Sequence, residues 1–304
     1  MPIAEPTPAF ACRHCAIASR RGFVALLAAS AAAGAAWPVQ AQEGVRPDVG
    51  RNSQFTKLVP AEQVEAAAAQ QYRQMLRDAA QQKALGPDNH PQVVRLRAIA
   101  QRIIPFAAPW NARAGQWKWE VNLIGSRELN AFCMPGGKIA FYHGILRQLQ
   151  LSDEEVAAIM GHEMAHALRE HARERMGKNV ATRVGAGLLS ALLGLGDTGN
   201  AVLDMGSQLL TLKFSREDES EADIVGMELA ARAGYDPHAG VSLWNKMIAA
   251  NKNAPPQFMS THPSGPTRIA DIEAKLPKVQ PLYENAPRPA RIYGPPPAEE
   301  PKNG

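Results

Sequence analysis

His162-Glu163-Met164-Ala165-His166 sets two imidazoles and a carboxylate within five residues. On a helix, residues four apart share a face, so both rings can reach one metal ion. Glu163, about 100° further round the axis, can hold a water beside that ion without ligating it. This is the equipment for metal-assisted hydrolysis of an amide. Average usage of His and Glu produces the pattern by accident in about one chain in a hundred of this length. The motif therefore has to be read with the elements that position it.

Ser152-Asp153-Glu154-Glu155 reads as a capping box with acids in the first helical turn. From Val156 to Met176 there is no Pro, and Gly161 is the only Gly. Val156, Ile159, Met160 and Leu168 supply apolar spacing. Arg169, Arg173 and Arg175 suit the negative end of the dipole, and Gly177 is a natural stop. The spacing predicts one helix from the cap to about Met176, with His162 and His166 at its middle.

A catalytic zinc site takes three protein ligands and leaves one position open. The run Glu217-Asp218-Glu219-Ser220-Glu221-Ala222-Asp223 is rich in acids. Taking Glu219 as reference, Asp223, Gly226 and Ala230 fall within about 40° of it at 100° per residue. That face is small enough to approach another helix closely, whereas Glu221 groups with Glu228 and Arg232 on the opposite, polar face. Glu219 is thus the predicted third ligand, and Asp223 the acceptor that orients a ligand imidazole. A solvated first turn is the competing reading. His262, in Thr261-His262-Pro263-Ser264 ahead of Arg268, is a further candidate. His171, five past His166, falls on the far side of a continuous helix and reads as structural. His14, His90, His143 and His238 lack supporting neighbours.

Around these residues, Pro60 to Leu85 and Pro91 to Ile104 read as helices. Trp117 to Ile124 alternates as a half-buried strand. Leu129 to Cys133 and Lys138 to Tyr142 flank Met134-Pro135-Gly136-Gly137 as a β-hairpin. Helices run from Glu217 to about Ala250 with a break at Gly234-Tyr235-Asp236-Pro237, and a last short one from Thr267 to Leu276. Val180 to Gly196 is rich in Gly, Ala and Leu, suiting a buried helical hairpin or peripheral membrane contact. Residues 42–57 read as a flexible lead-in, 58–280 as one domain, and 281–304 as a Pro-rich disordered tail.

Ser19-Arg20-Arg21-Gly22-Phe23 and the Ala/Leu-rich run from Val24 to Ala36 form an export signal over residues 1–41, with a twin-arginine look and small residues before Gln42. Its removal takes Cys12 and Cys15, leaving Cys133 alone and no disulfide within the chain. The formal charge of +4 includes Arg13, Arg20, Arg21 and Glu5, so the mature chain carries about +2. Nothing in that balance asks for nucleic acid. The expected location is periplasmic, or otherwise outside the cytoplasm.

Asn130-Ala131-Phe132 with Pro135-Gly136-Gly137, His162-Glu163-x-x-His166, Ser215-Arg216-x-x-Glu219-x-x-x-Asp223, and His262-Pro263 with Arg268 occur together. In that combination, from about Leu58 to Leu276, the chain resembles the zinc metallopeptidase family that includes the CAAX prenyl endopeptidase and HtpX. It is most similar to the soluble, exported bacterial members. The resemblance implies an α+β fold, predominantly helical and zincin-like, with a small antiparallel sheet or hairpin beside the active-site helix. It implies one Zn²⁺ per chain on His162, His166 and Glu219, with Glu163 as catalytic base. It further implies that His262 covers the metal at rest, that Arg268 stabilises the oxyanion, and that Lys138, Ile139, Ala140, Phe141 and Tyr142 form the substrate edge. The expected activity is endopeptidase cleavage of unfolded or misfolded envelope proteins, in quality control. The alternative is a chaperone-like assembly factor with a gated, latent site.

Overall fold

The computed structural model describes residues 43–183, 209, 212–250, 257–262 and 267–298. The export-signal reading lies outside the described residues, as does most of 180–196. Three strands, nine α-helices and four short 3-10 helices make up the described part. The strands and α-helices are α1 (Ala61–Gln81), α2 (Pro91–Ile103), β1 (Glu120–Ile124), β2 (Ala131–Met134), β3 (Lys138–Tyr142), α3 (His143–Gln148) and α4 (Asp153–Leu168). Then follow α5 (His171–Arg183), α6 (Arg216–Arg232), α7 (Ala239–Ala250), α8 (Gln257–Thr261) and α9 (Arg268–Asn285). Among the described residues no helix is long and apolar enough to cross a membrane.

The capping box forms as the sequence requires: Glu155 N donates to Ser152 Oγ and Ser152 N to the Glu155 carboxylate. The helix then runs through the core, buried on nearly every side. It does not run on to Met176. Arg169 closes it, Glu170 takes a left-handed backbone with φ 60°, and α5 starts afresh at His171. No Gly or Pro marks the break. Tertiary bonds hold it: Asn111 Nδ2 donates to the Leu168 carbonyl, and Asn52 and Arg173 grip the Glu170 carboxylate. Such a backbone costs about 1–3 kcal/mol and persists only where its surroundings impose it.

The hairpin lies where the spacing places it, with Gly136 and Gly137 both at positive φ in its turn. The sheet is mixed, in order β1-β3-β2, with β1 parallel and β2 antiparallel to β3. This corrects two expectations. The sheet is not wholly antiparallel. Lys138, Ile139, Ala140, Phe141 and Tyr142 form the central strand, bonded on both sides, so they offer no free edge. The edge strand packed against α4 is β2.

Both ends are also more ordered than their composition suggests. Val45 is fully buried and its N–H donates to Glu228 Oε2 at 2.6 Å, so the lead-in is packed. α9 continues through Pro277 and Pro281 to Asn285, because Val279 and Leu282 are buried and Lys275 and Lys278 pair with Asp48. Beyond it, the N–H groups of Tyr293 and Gly294 donate to the Asp153 carboxylate, fastening the extended chain across the start of α4. Burial and ion pairing override what Pro content implies locally.

Candidate metal centre

α4 packs more extensively against α6 than any other pair of elements, and the crossing lies at two glycines. A Cβ at Gly161 would sit 2.5 Å from the Gly226 carbonyl oxygen, and one at Gly226 would sit 2.6 Å from His162 N. Backbones therefore touch there, and the rows His162/His166 and Glu219/Asp223 face each other across the contact. α6 is held in register by its own capping box, Ser215 with Asp218.

His162, His166, Glu219 and His262 each present a donor atom, all within 4.8 Å of one another and all buried. His166 Nε2 lies 3.1 Å from His162 Nε2, and Glu219 lies 3.4 Å from the first and 3.5 Å from the second of those nitrogens. His262, on the last turn after α8, places Nδ1 2.9 Å from Glu219 Oε1 and 3.3 Å from His162 Nε2. Its ring stacks on Phe258, and that of His166 on Phe214. His262 is thus inside the cluster rather than on the surface.

The outer nitrogens show how the inner ones are protonated. His162 Nδ1 stands 3.0 Å from Asp223 Oδ1, close enough to donate, though off the ideal line. A carboxylate only accepts, so a hydrogen on the Nδ1 that faces it leaves Nε2 with a lone pair. Lone pairs on buried nitrogens turned towards one carboxylate are a ligand set for a cation, and mixed imidazole and carboxylate donors suit zinc. The residues fit the metal that the motifs imply. Burial drives the His166 pKa well below its ordinary value, keeping the ring neutral as a ligand must be. Burial pushes the Glu219 carboxyl up, but His262 and His166 together hold it far below the usual carboxylate range.

Glu163 is not in the ligand group. Its carboxyl is buried beside Cys133 and raised above its ordinary pKa, chiefly by desolvation, with His262 and His162 opposing. Oε1 lies 3.5 Å from His262 Nε2 and accepts no hydrogen bond among the described residues. It lines an open cleft with β2, His166, His262 and the apolar side chains of Leu209, Leu212 and Phe214.

Arg268 is placed otherwise than an oxyanion donor. Its Nε and Nη2 donate to the two oxygens of Asp223 at 2.6 and 2.8 Å, and Nη1 lies 2.8 Å from Glu219 Oε2. The guanidinium also stacks over Trp244, 3.6 Å from the ring centre. It braces two carboxylates from behind and does not line the cleft. Helical phase also misplaced two residues. His171 Nδ1 lies 2.9 Å from His166 Nδ1, because α5 starts in a new direction. Glu221 is not on a free polar face: it bonds His171 Nε2 and Arg169. No signal in the sequence announces this, since the break between α4 and α5 contains ordinary helix formers.

With this geometry in place, comparison with known proteins is decisive about family. Residues 92–276 match the family described as peptidase family M48. The chain belongs to that family. Among M48-like relatives, it is 35% identical over 197 residues to the mitochondrial metalloendopeptidase OMA1 of Schizosaccharomyces pombe, covering 64% of this chain and 56% of that protein. To OMA1 of Arabidopsis thaliana it is 38% identical over 150 residues, 49% of this chain and 30% of the relative. To the beta-barrel assembly-enhancing protease of Escherichia coli K12 it is 29% identical over 171 residues, 53% and 35% respectively. The chain thus spans between about a third and three fifths of the length of these relatives.

Proposed function

We propose that this chain is a zinc metalloendopeptidase, with His162, His166 and Glu219 holding the ion and Glu163 as general base. The observation that carries the reading is the convergence of those donors across the α4–α6 crossing, with a protonatable carboxyl at the cleft beside them. Zinc held there supplies Lewis acidity, acidifying water and polarising a carbonyl. Glu163 takes the proton from the attacking water and returns it to the leaving amine, and its raised pKa suits both halves of that task. Asp223 and Arg268 keep His162 and Glu219 in position.

An extended peptide adds to the outer edge of β2, with its side chains in the cleft. Edge addition selects unfolded segments over compact ones, which supports damaged or misassembled envelope proteins as substrates. The leader-like first 41 residues support a location in the periplasm. His262 sits where a carbonyl and water must enter, which favours a latent enzyme opened by its substrate or a partner. The same observation supports a chaperone-like assembly factor as the second reading.

Casein or a reduced, unfolded protein, cleaved by the zinc-loaded wild type and by Glu163→Gln, tests the mechanism. Loss of the proton shuttle should lower the rate about 10²–10⁴-fold with zinc content unchanged. Equal rates would remove Glu163 from the chemistry.

A further inference from the structure

His171 and Glu221 take no part in the ligand group, yet they form a hydrogen-bonded chain, partly exposed at Glu221 and buried at His171, that ends on it. The Arg169 guanidinium holds the Glu221 carboxylate at 2.7 Å and also donates to the Gly50 carbonyl at 2.6 Å. Glu221 Oε2 lies 2.9 Å from His171 Nε2, and His171 Nδ1 lies 2.9 Å from His166 Nδ1. His171 is 1% exposed, so no water competes for either ring nitrogen.

Hydrogen bonding permits one arrangement of protons along this chain for neutral rings. A carboxylate paired with Arg169 can only accept, so His171 Nε2 donates to it. Neutral His171 then has an acceptor at Nδ1, and His166 Nδ1 must donate to that acceptor. Nε2 of His166 is left with its lone pair towards His162 and Glu219. Each step follows from the one before, starting from the fixed charge of Glu221.

We propose that Glu221 and His171 are positioning residues that set the tautomer and the angle of the His166 ring through a carboxylate–imidazole–imidazole relay. The proposal rests on the zinc reading above. It makes the unusual break between α4 and α5 functional, because only a chain restarting at His171 can bring this ring back against His166. It also gives His166 the support that Asp223 gives His162, so each ligand imidazole is steered from outside by a carboxylate, one directly and one through a second ring. Removing such an outer partner weakens metal binding about 10–100-fold.

The test is zinc affinity of the full chain, by competition with a chromogenic chelator, alongside the visible spectrum of the cobalt-substituted protein. His171→Phe keeps a planar ring and removes the acceptor, and should weaken zinc about 10–100-fold with a changed cobalt spectrum. His171→Asn restores an acceptor near Nδ1 and should recover part of that loss. Glu221→Gln, at a partly exposed side chain, removes the fixed charge and should weaken zinc with the fold intact by circular dichroism. Arg113→Ala breaks the ion pairs to Glu62 and Glu65 on α1, away from both the elbow and the relay. It should lower Tm and leave zinc affinity unchanged. The proposal is overturned if His171→Phe or Glu221→Gln binds zinc as wild type does, if His171→Asn recovers nothing, or if Arg113→Ala weakens zinc as much as Glu221→Gln. Failure of wild type itself to bind zinc would instead bring down the metallopeptidase reading.

Discussion

Gly226→Ala is the substitution whose effect follows most directly from how the metal centre is built. The added methyl would sit 2.6 Å from His162 N and 2.8 Å from both Gly161 C and His162 Cα. All three are backbone atoms in the middle of a buried helix, so no side chain can swing aside. Reaching ordinary contact near 3.4 Å requires α6 to retreat from α4 by about 0.8 Å. Two opposing effects on stability follow. Ala is the better helix former by about 1 kcal/mol, but overpacking a buried contact costs about 1–3 kcal/mol. With backbone on both sides the upper end applies, for a net loss of about 2 kcal/mol. In a domain of this size that lowers Tm by about 4–8 °C, measured in chelator so that metal does not contribute. The effect on the site should be larger, since α4 carries His162 and His166 and α6 carries Glu219. Ligand distances tolerate about 0.2 Å, a quarter of the required shift. Zinc affinity should therefore fall by more than the stability loss explains. An unchanged Tm together with unchanged zinc affinity would falsify the account of the α4–α6 contact as the device that assembles the ligand set.

His262→Ala should raise casein cleavage about 10-fold or more, the increase expected when a closed state populated above 90% is removed. Unchanged or lower activity in a folded variant defeats the view that His262 keeps the site shut. Arg95, fully buried, bonds Asp153, Gln92 and the Leu151 carbonyl just ahead of α4. Arg95→Met should cost about 3–5 kcal/mol in urea melts, because the buried Asp153 loses its counter-ion. A loss under about 1 kcal/mol would show that the backbone donors of Tyr293 and Gly294 suffice for that carboxylate.

The local code of this protein is clear where chemistry and helical phase coincide. Ser152 and Glu155 announce the start of α4, the i,i+4 histidines share its face, and 100° per residue puts Glu219 in line with Asp223 and Gly226. Pro135-Gly136-Gly137 likewise demands a tight turn, and the hairpin follows. These signals depend only on neighbours a few residues away, and such neighbours are visible in a string of letters.

Whatever depended on distant partners was not visible. The break at Arg169-Glu170 has no Gly or Pro and is held by Asn52, Asn111 and Arg173, far apart in the chain. Without it His171 points away from His166, and phase alone sends Glu221 into solvent. Which strand is the free edge depended on β1 pairing parallel to β3, a contact that alternation cannot report. The prolines of α9 looked like helix stops until Val279 and Leu282 were seen buried and Lys275 and Lys278 paired with Asp48. The sequence by itself determined which side chains could bind a metal and move a proton. Tertiary structure decided which helices meet, where α4 ends, and which residues stand behind the ligands, because those outcomes are set by burial and hydrogen bonds across the whole chain.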